Sequence, residues 1–514
     1  MSINIKEWNV EDSQFWETTG KKIAFKNLWI SIPCLLLAFA VWMTWSIIIV
    51  QMQNLGFVFE SDPAANKALL YTLPAIAGLA GATFRIPNSF LIAVGGGRNV
   101  IFFTTALLLI PTIGMGVALQ NIHTPYLVFA LLAALSGFGG GNFASSMSNI
   151  TFFFPKKSQG TALGLNAGLG NLGVSVMQVL LPFTMGLSLF GFLGGEKFPG
   201  TSVYIQNCGF TWIPLLVFFT VAAFFRMNNV FSASPGLTST SVAIRKTLFL
   251  LTLGGVSAGV GILLLLYFKW NMWIVLPITI LLTVVSMKYL SPGELRENLQ
   301  KQFSIFKNKQ CWVMTILYVM TFGSFIGYSA AFPKLIQDIF GTLPGGGINP
   351  NAPNPFAYAW LGPLVGSLVR PVGGWLSDKI ESGSKVTHWA TVAMIGAALG
   401  VGYCIVQAKA APTPESYFIP FLILFLILFI TTGIGNGSTF RSIPYIFEKH
   451  QAGPVLGWTS AIAAYGAFII PNVFGAQIKS GHPEYALYGF SIYYGFCLIL
   501  NWWYYDRKNS EVKC

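Results

Sequence analysis

An all-α polytopic membrane protein is the fold class this sequence predicts, and three observations carry it. Of 514 residues, 54% are apolar and only 9% are charged, a balance foreign to a soluble domain. The apolar residues fall into fourteen stretches, most of them meeting the roughly 20 residues needed to cross hydrocarbon. No ten-residue alternation of apolar and polar positions occurs, which excludes a β-barrel.

The expected spans are 27–52, 65–94, 99–119, 125–154, 160–190, 209–227, 247–268, 272–290, 310–340, 355–377, 387–407, 417–447, 453–478 and 484–505. The first 26 residues are polar and mixed in charge. They lack the order of a cleavable signal, so the first span is expected to act as the targeting signal. With that tail in the cytosol, about 21 of the 30 Lys and Arg fall on the inner side, as the positive-inside rule requires. The even number of spans returns the other end to the cytosol. The net charge of +13 is therefore read as topology, and no nucleic-acid partner is expected. Six scattered cysteines show no paired spacing for a disulfide framework or a metal site.

Span two holds Arg85, the only charge between Lys67 and Arg98. Span ten holds Arg370, the only charge between Pro355 and Leu376. A lone arginine at such depth costs roughly 2.5–3.5 kcal/mol on insertion scales. Each follows a glycine by four residues (Gly81 and Gly366), so a small residue lies one turn below on the same face. The glycine-rich run Gly137–Asn149 in span four is echoed at Gly433–Phe440, and the run Gly164–Gln178 in span five at Ser460–Gly475. The two arginines are about 285 residues apart and the glycine motifs about 296, a weak internal repeat of two six-helix halves. The expected divisions are a tail 1–26, a bundle 27–230, a connector 231–308 with two added spans, a bundle 309–505 and a tail 506–514.

Two buried cations in matching helices point to a site for an anion. Guanidinium forks bidentately onto oxyanions, and a bound anion relieves the repulsion of two arginines, about 2 kcal/mol at an assumed separation of about 8 Å. An empty site would then resist closing, which favours exchange. The alternative for each arginine is snorkelling to the cytosolic surface. For Arg85 that path is about 20 Å of helix, too long; for Arg370 it is shorter; for Arg441, close to Glu448, it is the preferred reading. All Asp, Glu and His are placed in loops, tails or span ends, leaving no membrane-embedded relay for protons. No ligand cluster for a metal and no nucleophile–base pair appears, so neither cofactor nor enzymatic activity is expected.

The stretches Asn27-Leu-Trp-Ile-Ser-Ile-Pro-Cys-Leu-Leu-Leu-Ala-Phe39, Asn142-Phe-Ala-Ser-Ser-Met147, Gly168-Leu-Gly-Asn-Leu-Gly-Val-Ser-Val-Met-Gln178 and Thr321-Phe-Gly-Ser-Phe-Ile-Gly327 closely resemble the nitrate/nitrite porter family of the major facilitator superfamily. The resemblance covers nearly the whole chain except 230–308. It implies that Arg85 and Arg370 grip the anion, that Phe143 and Phe322 sandwich planar nitrate, and that Tyr318 and Asn171 hydrogen-bond it. It also implies that Gly164, Gly168, Gly170, Gly173, Gly466 and Gly475 lie on the helices that slide and bend. The implied activity is exchange of nitrate and nitrite across the cytoplasmic membrane of a bacterium, with both termini cytosolic. Nitrate, nitrite and membrane lipids are then the partners, and a monomer is expected. Proton-coupled symport and a passive anion channel are the alternatives. Two departures stand out: the family's twelve helices become fourteen, and Arg441 replaces an uncharged polar residue.

Overall fold

Hydrocarbon offers no water to satisfy backbone amides, so an apolar chain of this kind must close its hydrogen bonds within helices. The computed structural model describes residues 4–234 and 237–514, with the side chains at positions 156, 157, 159, 160, 444, 449 and 450 outside that description. The first half holds α1 (Lys21–Met43), α2 (Trp45–Asn54), α3 (Pro63–Asn88), α4 (Gly97–Leu107), α5 (Leu109–Ala118), α6 (Tyr126–Phe153), α7 (Lys156–Thr184) and α8 (Ile213–Arg226). Then come α9 (Thr240–Leu266) and α10 (Met272–Leu290). The second half holds α11 (Lys309–Tyr318), α12 (Ser324–Phe340), α13 (Leu361–Leu368), α14 (Arg370–Lys379), α15 (Gly383–Ala410), α16 (Phe418–Ile446), α17 (Lys449–Ala463), α18 (Gly466–Lys479) and α19 (Glu484–Asn501). A two-residue parallel pair, β1 (Asn4–Ile5) with β2 (Asn229–Val230), fastens the start of the chain to the end of the first half.

Among the described residues, twelve helices are long and apolar enough to cross a membrane, against fourteen expected spans. The difference falls on two stretches. The expected span 355–377 is cut at Val369, because Pro371 in the first turn of α14 has no amide hydrogen to continue the ladder. The expected span 484–505 is the tyrosine-rich α19, followed by a π-helical turn at Trp502–Asp506.

Glycines decide how closely the helices that carry the two arginines are crossed. A Cβ at Gly140 on α6 would lie 2.7 Å from Gly81 Cα on α3, and one at Gly137 would lie 2.7 Å from the Gly81 amide nitrogen. The second half repeats the device: a Cβ at Gly437 on α16 would meet the Arg370 carbonyl at 2.1 Å, and one at Gly433 the Gly366 carbonyl at 2.2 Å. Four of the six glycines singled out in span five and in span 453–478 pack in the same way. Gly170 and Gly173 seat against Leu35 and Leu36 on α1, Gly466 against Gly323, and Gly475 against Tyr71. Gly164 has no neighbour within 4 Å of a Cβ, and Gly168 only atoms at 3.8 Å and beyond.

Several hydrogen bonds join the two halves. Gln178 on α7 donates to the Ser329 carbonyl at 3.1 Å, and Gln337 on α12 to Asn54 at 2.8 Å. The Thr83 and Tyr465 hydroxyls meet at 2.9 Å. The Asp338 carboxylate is buried despite standing near a helix end. Both its oxygens accept from Lys334 at 2.6 Å, one turn back on α12, and Lys67 of α3 approaches to 3.9 Å. The side chains of Lys334 and Asp338 are 0% and 2% exposed, so a carboxylate expected at a span end is buried here. From α3, the Tyr71 ring lies 5.1 Å from the Lys334 ammonium and helps to cover the pair.

Candidate functional site

Arg85 leaves α3 toward α6, where the close crossing puts the Gly140 carbonyl in reach of its Nε–H at 2.8 Å. Its Nη1–H donates to the Ser460 carbonyl of α17 at 3.2 Å, so one guanidinium is bonded to both halves. Nη2 is buried and has no acceptor among the described residues. The residue is 0% exposed. Arg370 opens α14 and is 4% exposed. Its Nη2–H donates to the Tyr318 hydroxyl at 2.8 Å, while Nη1 is buried without an acceptor among the described residues. Neither arginine makes an ion pair among the described residues. The snorkelling alternative is thereby ruled out for both in this structure, since neither reaches solvent.

The Phe143 and Phe322 rings stack between the two guanidinium groups, with centroids 5.8 Å apart and planes inclined by 21°. Both guanidinium carbons lie within 5.9 Å of both ring centroids, the shortest approach being Arg85 to Phe143 at 4.7 Å. Phe143 rides on α6 three residues after the crossing glycine Gly140. Phe322 sits in a π-helical turn, Val319–Gly323, that joins α11 to α12. Such a turn inserts one residue into the helical repeat and re-aims the side chains beyond it. Tyr318 stacks on Phe322 at 5.6 Å and 8°. A planar group lying between two rings needs about 7 Å, two contacts of about 3.5 Å. At 5.8 Å the phenylalanines pack on each other.

Arg85, Arg370, Phe143, Phe322 and Tyr318 therefore converge in one buried cluster. Asn171 is buried on α7 with neither amide atom hydrogen-bonded, and no hydrogen bond joins it to the cluster. Three participants escaped the sequence reading. Phe440 lies 4.6 Å below the Arg370 guanidinium, Trp42 lies 5.3 Å from that of Arg85, and the Ser460 carbonyl completes the Arg85 bonds. The internal repeat gave no signal for Phe440: the spacing that sets Gly433 against Gly137 sets Thr439, not Phe440, against Phe143. Arg441, next in the chain, turns away. Its Nε–H donates to Asp378 at 2.9 Å and its guanidinium covers Tyr445.

Two unsatisfied N–H groups on permanent cations, walled by aromatic faces, suit a small anion with in-plane acceptors. No family model matches the chain. Among curated proteins it is 37% identical to the probable nitrate/nitrite antiporter NarK2 of Thermus thermophilus, covering 99% of this chain and 98% of that protein. It is 34% identical to the nitrate/nitrite transporter NarU of Escherichia coli K12, covering 99% and 97%. Among solved structures it resembles the xylose transporter XylE of E. coli at a TM-score of 0.60, with 13% identity over 94% of this chain and 97% of that one, a likeness of fold alone. These matches are transporters, in agreement with the expectation that the chain is not an enzyme. Full-length identity at this level places the chain in the nitrate/nitrite transporter family of the major facilitator superfamily.

Proposed function

We propose that the protein exchanges nitrate and nitrite across the cytoplasmic membrane of a bacterium, by alternating access at the Arg85–Arg370 cluster. The observation that carries this is the pair of buried guanidinium groups, each with an unsatisfied N–H, sharing one pair of stacked phenyl rings. The anion takes the two vacant donors, and the rings part by at least about 1 Å to admit a planar ion while rejecting tetrahedral ones. Tyr318 holds the Arg370 fork, and Asn171 offers a further polar group from α7. Lys67–Asp338 and the Arg85–Ser460 bond tie the halves together and break as they separate. Separation leaves Arg85 with a second unsatisfied donor, a state that a bound anion relieves, so the loaded carrier reorients more readily than the empty one.

The finer architecture belongs to the same proposal. Two six-helix bundles (27–230 and 309–505) flank a connector (231–308) with one added helix pair, giving fourteen spans with both tails, 1–26 and 506–514, in the cytosol. The interrupted α13–α14 stretch and α19 serve as the two remaining spans. The protein works as a monomer in lipid. Gly164 and Gly168, which touch nothing closely, are the bending points, and Gly170, Gly173, Gly466 and Gly475 are the sliding contacts. Full burial of the cluster supports a carrier over a passive channel, whose lining would be wet.

The test is nitrate uptake into proteoliposomes, empty or preloaded with nitrite, with and without an inward proton gradient. Uptake that requires internal nitrite and ignores the gradient is expected. Gradient-driven uptake into empty vesicles would replace exchange by proton symport. Uptake without saturation or trans-stimulation would replace it by a channel.

A further inference from the structure

Arg85 and Arg370 are held very differently. Arg85 is fixed by two backbone carbonyls and by the faces of Trp42, Phe143 and Phe322. Arg370 has one described hydrogen bond, to the Tyr318 hydroxyl, and the rings of Phe143 and Phe322 reach it only at 5.9 Å. Its close aromatic contact is Phe440, at 4.6 Å. That ring also meets Tyr318 edge to face at 5.3 Å and 66°, and Phe143 at 6.5 Å and 87°. One side chain thus touches the cation, the residue that accepts its hydrogen bond and the opposite aromatic wall.

We propose that Phe440 is a positioning residue for anion binding: its face fixes the Arg370 guanidinium so that Nη1 stays directed into the cluster. This rests on the reading of Arg370 as an anion ligand. A single hydrogen bond to one hydroxyl leaves a guanidinium able to pivot about that bond. A ring against its plane removes the pivot, since a desolvated cation over an aromatic face loses attraction as it tilts away. α16 can deliver the ring there because Gly433 and Gly437 let it run against the α13–α14 segment, and Gly437 sits against the Arg370 carbonyl itself. Phe440 also explains the neighbouring arginine. Adjacent helical positions diverge by about 100°, so a Phe440 aimed at the cluster sends Arg441 toward Asp378 at the cytosolic edge.

The experiment compares the native protein with Phe440→Leu, Phe440→Met, Phe440→Tyr and Arg370→Lys in nitrite-loaded proteoliposomes, reading initial nitrate uptake against concentration. A weakened hold on Arg370 lowers affinity without touching the reorienting machinery. The Leu and Met variants are therefore expected to raise KM about tenfold with kcat within about twofold, and Tyr to restore native values. In detergent, the nitrate concentration that half-maximally raises Tm is expected to shift in parallel. Met keeps volume and apolar contact without a ring, so it carries the test if Leu does not fold. A KM within about twofold of native in the Leu or Met variant, with Arg370→Lys disabled, overturns the role of Phe440 and leaves the anion site standing. Loss of kcat alone, not restored by Tyr, overturns it in favour of simple packing. Native-like uptake by Arg370→Lys, or no nitrate uptake by the native protein, overturns the site reading and the role of Phe440 with it.

Discussion

Replacing Arg85 by lysine keeps the charge and removes the fork, and the structure sets the size of the effect. The guanidinium spends Nε–H on Gly140 and Nη1–H on Ser460, leaving Nη2 for the anion. An ammonium group is a single point. It cannot span carbonyls on two different helices and also present a donor between two ring faces. At least one charge-assisted hydrogen bond is lost, about 1.5–3 kcal/mol, and a buried carbonyl is left unpaired. If that loss is felt in anion binding, KM for nitrate rises about 10- to 100-fold. The assay is initial uptake into nitrite-loaded vesicles at matched protein content, with insertion checked by Tm in detergent. A lysine variant with KM within about threefold of native would show that the fork is not what holds the anion.

Four further outcomes follow from the packing. Gly140→Ala drives a Cβ to 2.7 Å from both Gly81 Cα and the Trp42 indole, so thermal unfolding should show about 1–3 kcal/mol of destabilisation together with lost uptake. Gly164→Ala meets nothing and should leave Tm within the range of about ±0.5 kcal/mol typical of neutral substitutions; slower exchange at unchanged Tm would mark it as a bending point, and unchanged exchange would remove that role. Asp338→Asn leaves Lys334 buried without its counter-charge and should cost about 3–5 kcal/mol in thermal unfolding, whereas a native Tm would mean that water reaches the pair. Arg441→Gln breaks a pair whose carboxylate is 68% exposed, so stability should change by less than about 1 kcal/mol and nitrate KM by less than about twofold. A larger rise in KM would make Arg441 part of the anion path.

Hydropathy and charge are properties of the chain read in a line, and the features that depend on them were legible. The membrane class, most of the spans and the isolation of Arg85 and Arg370 among apolar neighbours are all set by which residues stand beside which. The convergence of Phe143, Phe322 and Tyr318 with those arginines came from a family resemblance, because an aromatic residue within a helix carries no mark of which neighbour it will face. The expected spans and the long apolar helices part company at two places, at Val369 before Pro371, where the helix is interrupted, and in the tyrosine-rich α19.

Other features were decided only by helices meeting. The Gly140 and Ser460 carbonyls became ligands of Arg85 because α6 and α17 cross α3 closely, and a carbonyl in the sequence has no identity of its own. Lys334 and Asp338 stand one helical turn apart on α12. Their burial was imposed by α3 lying over that turn, which no window along α12 contains. Phe440 reached Arg370 because glycines on α16 let two backbones approach. Sequence alone thus determined which groups must avoid lipid. The tertiary structure chose what they face, because contact distance depends on which helices cross and how closely.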